Sequence, residues 1–348
     1  MRILLCALLL LGATGARAGQ WLSDQVFDRY SPLVAADEFS RRVFTPTTHD
    51  RLQRFQAYLG RHAVEQTVDL AAERYDVYLP SRQPPAGYGL LVFVSPMDQL
   101  PLSRDWKKVL DRVGVIYVAA RRSGNRENVY ERRIPLALHA VETLRARYPI
   151  DAERITIGGY SGGSRTAIRI AAAYADVFTG ALLVGGAKVM GEEDFAPPPA
   201  ALMTLLQRRM RIVYSTGSED MPNLRLDARS RAALAAHCVA GVYKISERGI
   251  GHELPDRKTL ERVYARLDRP LEPEALAEQA RCATDLAARA EAAMVAAEQA
   301  YAEGRITEAG ELLGAADLAW GGLMADRLIA LARKIAPGFS EGAAKAAQ

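Results

Sequence analysis

The sequence predicts an α/β fold: a mostly parallel central sheet with helices on both faces, followed by a C-terminal helical segment. Two patterns carry that expectation. Between residues 89 and 267, short apolar runs rich in β-formers alternate with amphipathic stretches, the rhythm of strands joined by crossover helices. From residue 271 the chain becomes alanine-rich and offers no convincing strand. A third feature lies inside the alternation: Gly159-Tyr160-Ser161-Gly162-Gly163, a serine framed by glycines where one apolar run ends.

The elements follow in order. Met1-Arg2, the apolar run Ile3 to Leu11 and the small-residue site Ala16-Arg17-Ala18 form the pattern of a secretory signal peptide, residues 1–18. The run is too short for a permanent membrane anchor, and Cys6 lies within it rather than at its end, which argues against a lipid anchor. A secreted or periplasmic protein without a membrane anchor after cleavage is expected. An α/β domain over 19–270 would then carry a helical extension over 19–62, with helices between 33 and 61 broken at Thr45-Pro46. Val64 to Leu70 and Tyr75 to Leu79 read as a strand pair, and Pro84-Pro85-Ala86-Gly87 as a turn. Residues 89–96, GLLVFVSP, form a continuous apolar run bounded by Gly and Pro, as in a strand buried on both faces. Helix is then expected at 105–113, strand at 113–120, a long helix at 129–148 and strand at 154–159. Helix at 164–174, strand at 180–186, helix at 200–209 and strand at 211–217 come next. Helix at 226–240, strand at 242–246 and helix at 256–267 complete the domain.

Beyond it, 271–335 reads as a helical hairpin split near Gly304-Arg305, and 336–348 as a disordered tail. From Leu271 onward there are 7 Lys+Arg and 12 Asp+Glu, leaving 38 and 29 of the chain's 45 and 41 for the remainder, so an acidic segment follows a basic body. The overall charge of +4 is small and no basic run with interleaved aromatics occurs, so nucleic-acid binding is set aside. Cys238 and Cys282 remain after removal of Cys6, and in an oxidising compartment they are expected to pair. There is no C-x-x-C and no Cys/His ligand spacing, so no metal is expected.

Ser161 stands after a buried strand and before an amphipathic helix, the strand–turn–helix setting of a nucleophile elbow. Glycines at 159 and 163 would remove side chains that a strained turn cannot hold, and the helix N-terminus would face developing negative charge. A serine hydroxyl needs a base. Of the five histidines, His49 and His62 precede the sheet, and His139 and His237 fall within helices. His252, in GIGHELP after the last strand, lies in a loop at the carboxyl end of the sheet and is the candidate base. The acid that orients it comes from the segment after strand 211–217: Asp220, with Glu219 as the alternative. The order Ser161, Asp220, His252 is that of Ser…Asp…His hydrolases.

These residues, with YDVYLP, GLLVFVSPMDQ, IDAERITIGGYSGGSRTA, YADVFTGALLVGGA and GIGHELP, give the chain a resemblance to the α/β-hydrolase superfamily over residues 72–268. Within it, the chain is most similar to secreted esterases of the polyhydroxybutyrate depolymerase and feruloyl esterase kind. The resemblance implies an α/β-hydrolase fold, a small-molecule or polymeric ester as substrate and no cofactor. It also implies an oxyanion hole made by the N–H groups of Gly162 and Met97. Where such esterases carry His-Gly-x, this chain has Ser95-Pro96-Met97. Tyr160, Arg122 and Asn125 are candidate substrate contacts at the rim. A peptidase of the same fold and a catalytically silent binding protein are the alternative functions.

Overall fold

The computed structural model describes residues 19–60 and 68–337. The signal-peptide segment, residues 64–67 of the expected first strand and residues 338–348 lie outside the described residues. Eight strands form one sheet: β1 Gln20–Val26, β2 Arg74–Leu79, β3 Tyr88–Val94, β4 Val115–Ala120, β5 Ile150–Tyr160, β6 Gly180–Val184, β7 Arg211–Tyr214 and β8 Val242–Lys244. Their spatial order is β1-β2-β4-β3-β5-β6-β7-β8, with β2 antiparallel to both neighbours and every pair from β4 to β8 parallel. This order, with the crossing of β3 and β4, is that of the α/β-hydrolase fold.

The helices are α1 Ala36–Val43, α2 Pro46–Tyr58, α3 Arg104–Val113, α4 Ile134–Arg147, α5 Gly162–Ala173, α6 Ala200–Arg208, α7 Met221–Ala236, α8 Arg257–Leu267, α9 Pro273–Ala302, α10 Ile306–Trp320 and α11 Ala325–Ile335. Alternation along the central strands divides the core. Leu90, Val92 and Val94 of β3 face α4 and α5 through Leu136, Val141, Ile168 and Ala171, while Leu91 and Phe93 face α3 and α8 through Trp106, Leu110, Leu260 and Val263. Burying each such side chain contributes about 1.5–3 kcal/mol, which is why an uninterrupted apolar run marks a central strand. Capping sets where helices start: Ser103 Oγ accepts the Trp106 N–H (3.2 Å) and Asp256 Oδ1 that of Thr259 (2.7 Å).

Three expectations need correction. The partner of β2 is Gln20–Val26, not the segment ending at Leu70, which closes in a short 3-10 turn at Leu70–Ala72. The described part of this region, 19–60, is therefore a strand followed by helices rather than a helical extension. An edge strand buries only one face in part, so QWLSDQV lacks the apolar run that betrays an inner strand. Residues 271–335 hold three α-helices, not two: a second break falls at Gly321-Gly322, where the chain turns with Gly321 at φ +36° and Gly322 N–H donates to Pro197 O (3.0 Å). The expected helix 129–148 starts as a π turn over Val129–Arg133 before α4.

Candidate active site

Ser161 sits between β5 and α5 with φ +54° and ψ −120°, a backbone conformation that costs an L-residue energy and is kept where the surroundings over-determine it. The surroundings are the adjacent backbones. A Cβ on Gly159 would collide with the backbone of Gly163, and one on Gly163 with the carbonyl of Val94 on β3. The elbow is thus wedged against its neighbour strand, and Ser161 N–H is anchored by Val184 O at 2.7 Å. The N–H of Gly162 opens α5 and has no acceptor within its own helix.

Asp220 follows β7 and is 7% exposed, whereas Glu219 beside it is exposed. Asp220 Oδ2 lies 2.6 Å from His252 Nδ1, in the loop after β8. Nδ1 is the donor in that contact, which leaves Nε2 as the basic nitrogen. His252 rests on the turn after β6: a Cβ on Gly185 would lie 2.6 Å from its Cε1, and Gly185 has φ +72°. β6 is the strand next to β5, so the ring stands beside the elbow. Among the described residues Ser161 Oγ makes no hydrogen bond; contacts of this kind often close only around a substrate.

Asn223 is a site neighbour that the sequence does not signal, and Tyr160, expected at the rim, takes a different place. Asn223, one turn into α7, donates through Nδ2 to both oxygens of Asp220 (3.0 and 2.9 Å), and its Oδ1 accepts Arg165 Nη2 at 3.0 Å. The same Nδ2 lies 3.1 Å from His252 Nδ1, so the amide sits beside both the carboxylate and the imidazole. Tyr160 stacks on His252 with ring centroids 4.9 Å apart, and its hydroxyl donates to the His252 carbonyl at 2.5 Å. Its ring and hydroxyl therefore hold the histidine loop. A helical Asn looks like any surface polar residue in sequence, and no spacing rule points to it; Tyr160, a candidate substrate contact in the sequence, is found against the histidine.

The remaining expected contacts diverge. Asn125 is exposed, and its side-chain amide lies against the α-carbon of Gly162, where any Cβ would strike it. Met97 N–H donates to Ser95 Oγ at 2.9 Å, so a short side chain already occupies the expected oxyanion donor. Arg122 is exposed, and its guanidinium donates to Ala72 O (3.0 Å) and Glu73 Oε2 (3.4 Å), in the segment leading into β2. Glu73, buried ahead of β2, is the carboxylate that it meets. Cys238 and Cys282 are joined in a disulfide with Cα atoms 5.6 Å apart. Among the described residues no cluster of His, Cys, Asp and Glu fit for a metal ion occurs, and no helix is long and apolar enough to cross a membrane.

Comparison with known proteins adds likenesses of fold. No protein-family model and no curated protein matches the chain. Among solved structures it is similar to a ferulic acid esterase, at 13% identity and a TM-score of 0.45 over 71% of this chain and 95% of that one. It is also similar to an S-formylglutathione hydrolase from Agrobacterium tumefaciens, at 12% identity and a TM-score of 0.42 over 57% of this chain and 90% of that one. A third is dipeptidyl peptidase 4 from Porphyromonas gingivalis, at 16% identity and a TM-score of 0.39 over 56% of this chain; this chain spans 32% of that peptidase, and 35% of a dipeptidyl-aminopeptidase-type structure from Bacteroides ovatus. The strand order and the elbow of the chain itself carry the fold.

Proposed function

We propose that the protein is a secreted serine hydrolase that cleaves carboxylic esters through an acyl-enzyme. The observation that carries this reading is the buried Asp220 carboxylate 2.6 Å from Nδ1 of a histidine that stands beside a strained serine elbow. In the reading, Ser161 Oγ attacks the ester carbonyl while His252 Nε2 takes its proton. Asp220 holds the ring in that tautomer and stabilises the imidazolium. Collapse of the tetrahedral intermediate expels the alcohol, which receives the proton from His252; water repeats the steps and releases the acid. Gly162 N–H faces the developing oxyanion, and Met97 N–H joins it once Ser95 Oγ yields. The disulfide supports an oxidising compartment, in keeping with the signal-like N-terminus.

A cavity of about 230 Å³ lies between the segment after β3 and the residues that follow His252, walled by Phe93, Leu102, Trp106, Tyr117 and Leu254. Ser103, Asp105 and Asp256 complete its lining, so the cavity offers an aromatic and aliphatic wall beside two carboxylates rather than a purely apolar one. A fluorophosphonate probe tests the reading: Ser161 should be labelled in the folded protein and Ser161→Ala should not. A panel of esters of increasing acyl length, beside feruloyl and acetylated-sugar esters, then assigns the substrate. A folded protein that neither labels nor turns over any ester is a binding protein, and the hydrolase reading fails.

A further inference from the structure

Arg133 is 3% exposed, yet among the described residues it makes no ion pair. A buried charge without a counter-ion is costly, and burial pushes its guanidinium down to about 10. Glu127, the carboxylate that bears on it, lies 3.4 Å from Arg132 instead. All the acceptors of Arg133 are backbone carbonyls. Nε donates to Ser123 O (2.9 Å) and Nη2 to Ser95 O (3.0 Å), with Nη1 at a longer 3.5 Å from Gly162 O. The π turn that opens α4 presents the side chain this way, and such turns recur at functional sites.

Those three carbonyls belong to the three segments that wall Ser161: Ser95 leads to Met97, Ser123 leads to Asn125, and Gly162 is the elbow. The segments are stitched to one another as well. Asn125 N–H donates to Pro96 O (2.9 Å), Arg122 N–H to Asp98 O (2.9 Å), and Gly124 is packed on Met97 and Asp98 so closely that a Cβ would come within 3.0 Å of the Met97 carbonyl carbon. The guanidinium therefore lies behind the wall whose front faces the reacting carbonyl.

We propose that Arg133 is a positioning residue of the ester-cleaving site, locking the three segments around Ser161 and holding a positive charge behind the oxyanion position. The proposal rests on the reading of Ser161 as nucleophile. A neutral ester carbonyl gains little from that charge and the tetrahedral oxyanion gains much, so the effect belongs to kcat rather than KM.

The test compares wild type, Ser161→Ala, Arg133→Lys and Arg133→Met on one activated ester, with circular dichroism to establish folding. Arg133→Met should lower kcat by about tenfold or more, below the 10²–10³-fold of a direct oxyanion donor, with KM within about threefold. Arg133→Lys, which keeps the charge but not the fork, should recover part of kcat. Should Arg133→Met not fold, Arg133→Gln takes its place in the same comparison. Wild-type kcat in the uncharged variant, a loss confined to KM, or no advantage of Lys over the uncharged side chain would each overturn the proposal while the hydrolase reading stands. A wild-type protein inert to ester and probe, like Ser161→Ala, would overturn both.

Discussion

Asp220 and Glu219 are neighbours in the chain, but only Asp220 turns inward to His252, because the chain enters α7 at that residue while Glu219 N–H is drawn outward to Ile250 O. The pair makes a sharp test. Asp220→Asn should keep the geometry but favour the wrong imidazole tautomer, lowering kcat by about 10⁴ as in comparable triads. Glu219→Gln should leave turnover of the same ester close to wild type. Turnover lost in Glu219→Gln and kept in Asp220→Asn would put the wrong carboxylate in the site. Asn223 gives a second residue-scale prediction. Its amide supplies two of the hydrogen bonds that hold Asp220. Asn223→Ala should therefore cost about 1–2 kcal/mol of transition-state stabilisation, near tenfold in kcat/KM, with the fold retained. A variant with unchanged kcat/KM would show that His252 alone suffices to hold the carboxylate. Ser161 and His252 stood out in the sequence because the elbow is a local pattern and the other four histidines had helical or pre-sheet settings. Asn223 and Arg133 did not, because each acts across the fold on groups far away in sequence.

At the scale of elements, α7 presents a polar stripe to the sheet: Asn223, Asp227 and Ser230 lie one turn apart and meet Asp220, Thr216 and Tyr214. Asp227 is 3% exposed, with Thr216 Oγ1 donating to its Oδ2 at 2.5 Å, and burial pushes its carboxyl up to about 6. His139 on α4 is buried with Nδ1 accepting the Ser31 N–H (2.9 Å), and burial pushes its imidazole down to about 4. The signs oppose. Above its unfolded pKa of about 3.9, Asp227 keeps a proton in the folded state that the unfolded chain has lost, so its contribution falls as pH rises towards 6. Below its unfolded pKa of about 6.5, His139 stays neutral in the fold while the unfolded chain protonates, so its contribution falls as pH drops towards 4. Asp227→Asn removes the first ramp and leaves the second. Urea unfolding should then show the variant gaining on wild type between pH 4 and 7 by about 2–3 kcal/mol, the worth of two pKa units. A gap that does not widen with pH would mean that Asp227 ionises in the fold as it does in water. The inner elements were readable for the same reason that this stripe was not. Strands β3 to β7 announce themselves as apolar runs, whereas a polar helix face that is buried looks solvated in sequence, and β1, exposed along its edge, lacks a run altogether.

Over the whole molecule, the acidic tail is a brace rather than part of the site. Helices α9 to α11 share a small core of Met294, Ala297, Leu313, Ala316, Leu328 and Leu331, and none of the candidate site residues comes from them. They grip the body at several points. Asp317 accepts Thr47 N–H (3.2 Å) and Oγ1 (2.6 Å), placing a carboxylate at the positive end of α2, and Arg333 pairs with Asp50 on the same helix. Ala319 O lies 3.0 Å from His237 Nε2, and Arg289 Nη2 donates to Ala236 O at 2.7 Å, both at the end of α7. The composition shift at residue 271 foretold a separate acidic layer on a basic body, but its third helix and its grip on α2 depend on contacts nearly 300 residues apart in sequence. The Cys238–Cys282 disulfide closes this arrangement covalently, joining the residue just past α7 to α9 across a separation of 44 residues. By restricting the unfolded chain, a bridge of that span is worth about 4 kcal/mol. Replacing both cysteines by serine should therefore lower the unfolding free energy by about that amount while kcat/KM on an activated ester stays within about twofold, since the bridge lies at the far end of α7 from Asp220. Denaturant unfolding and ester turnover on the same preparation separate the two effects. If activity falls in step with stability while the protein is still folded, α7 transmits the tail's grip to the acid that it carries at its other end, and the brace is part of the catalytic apparatus.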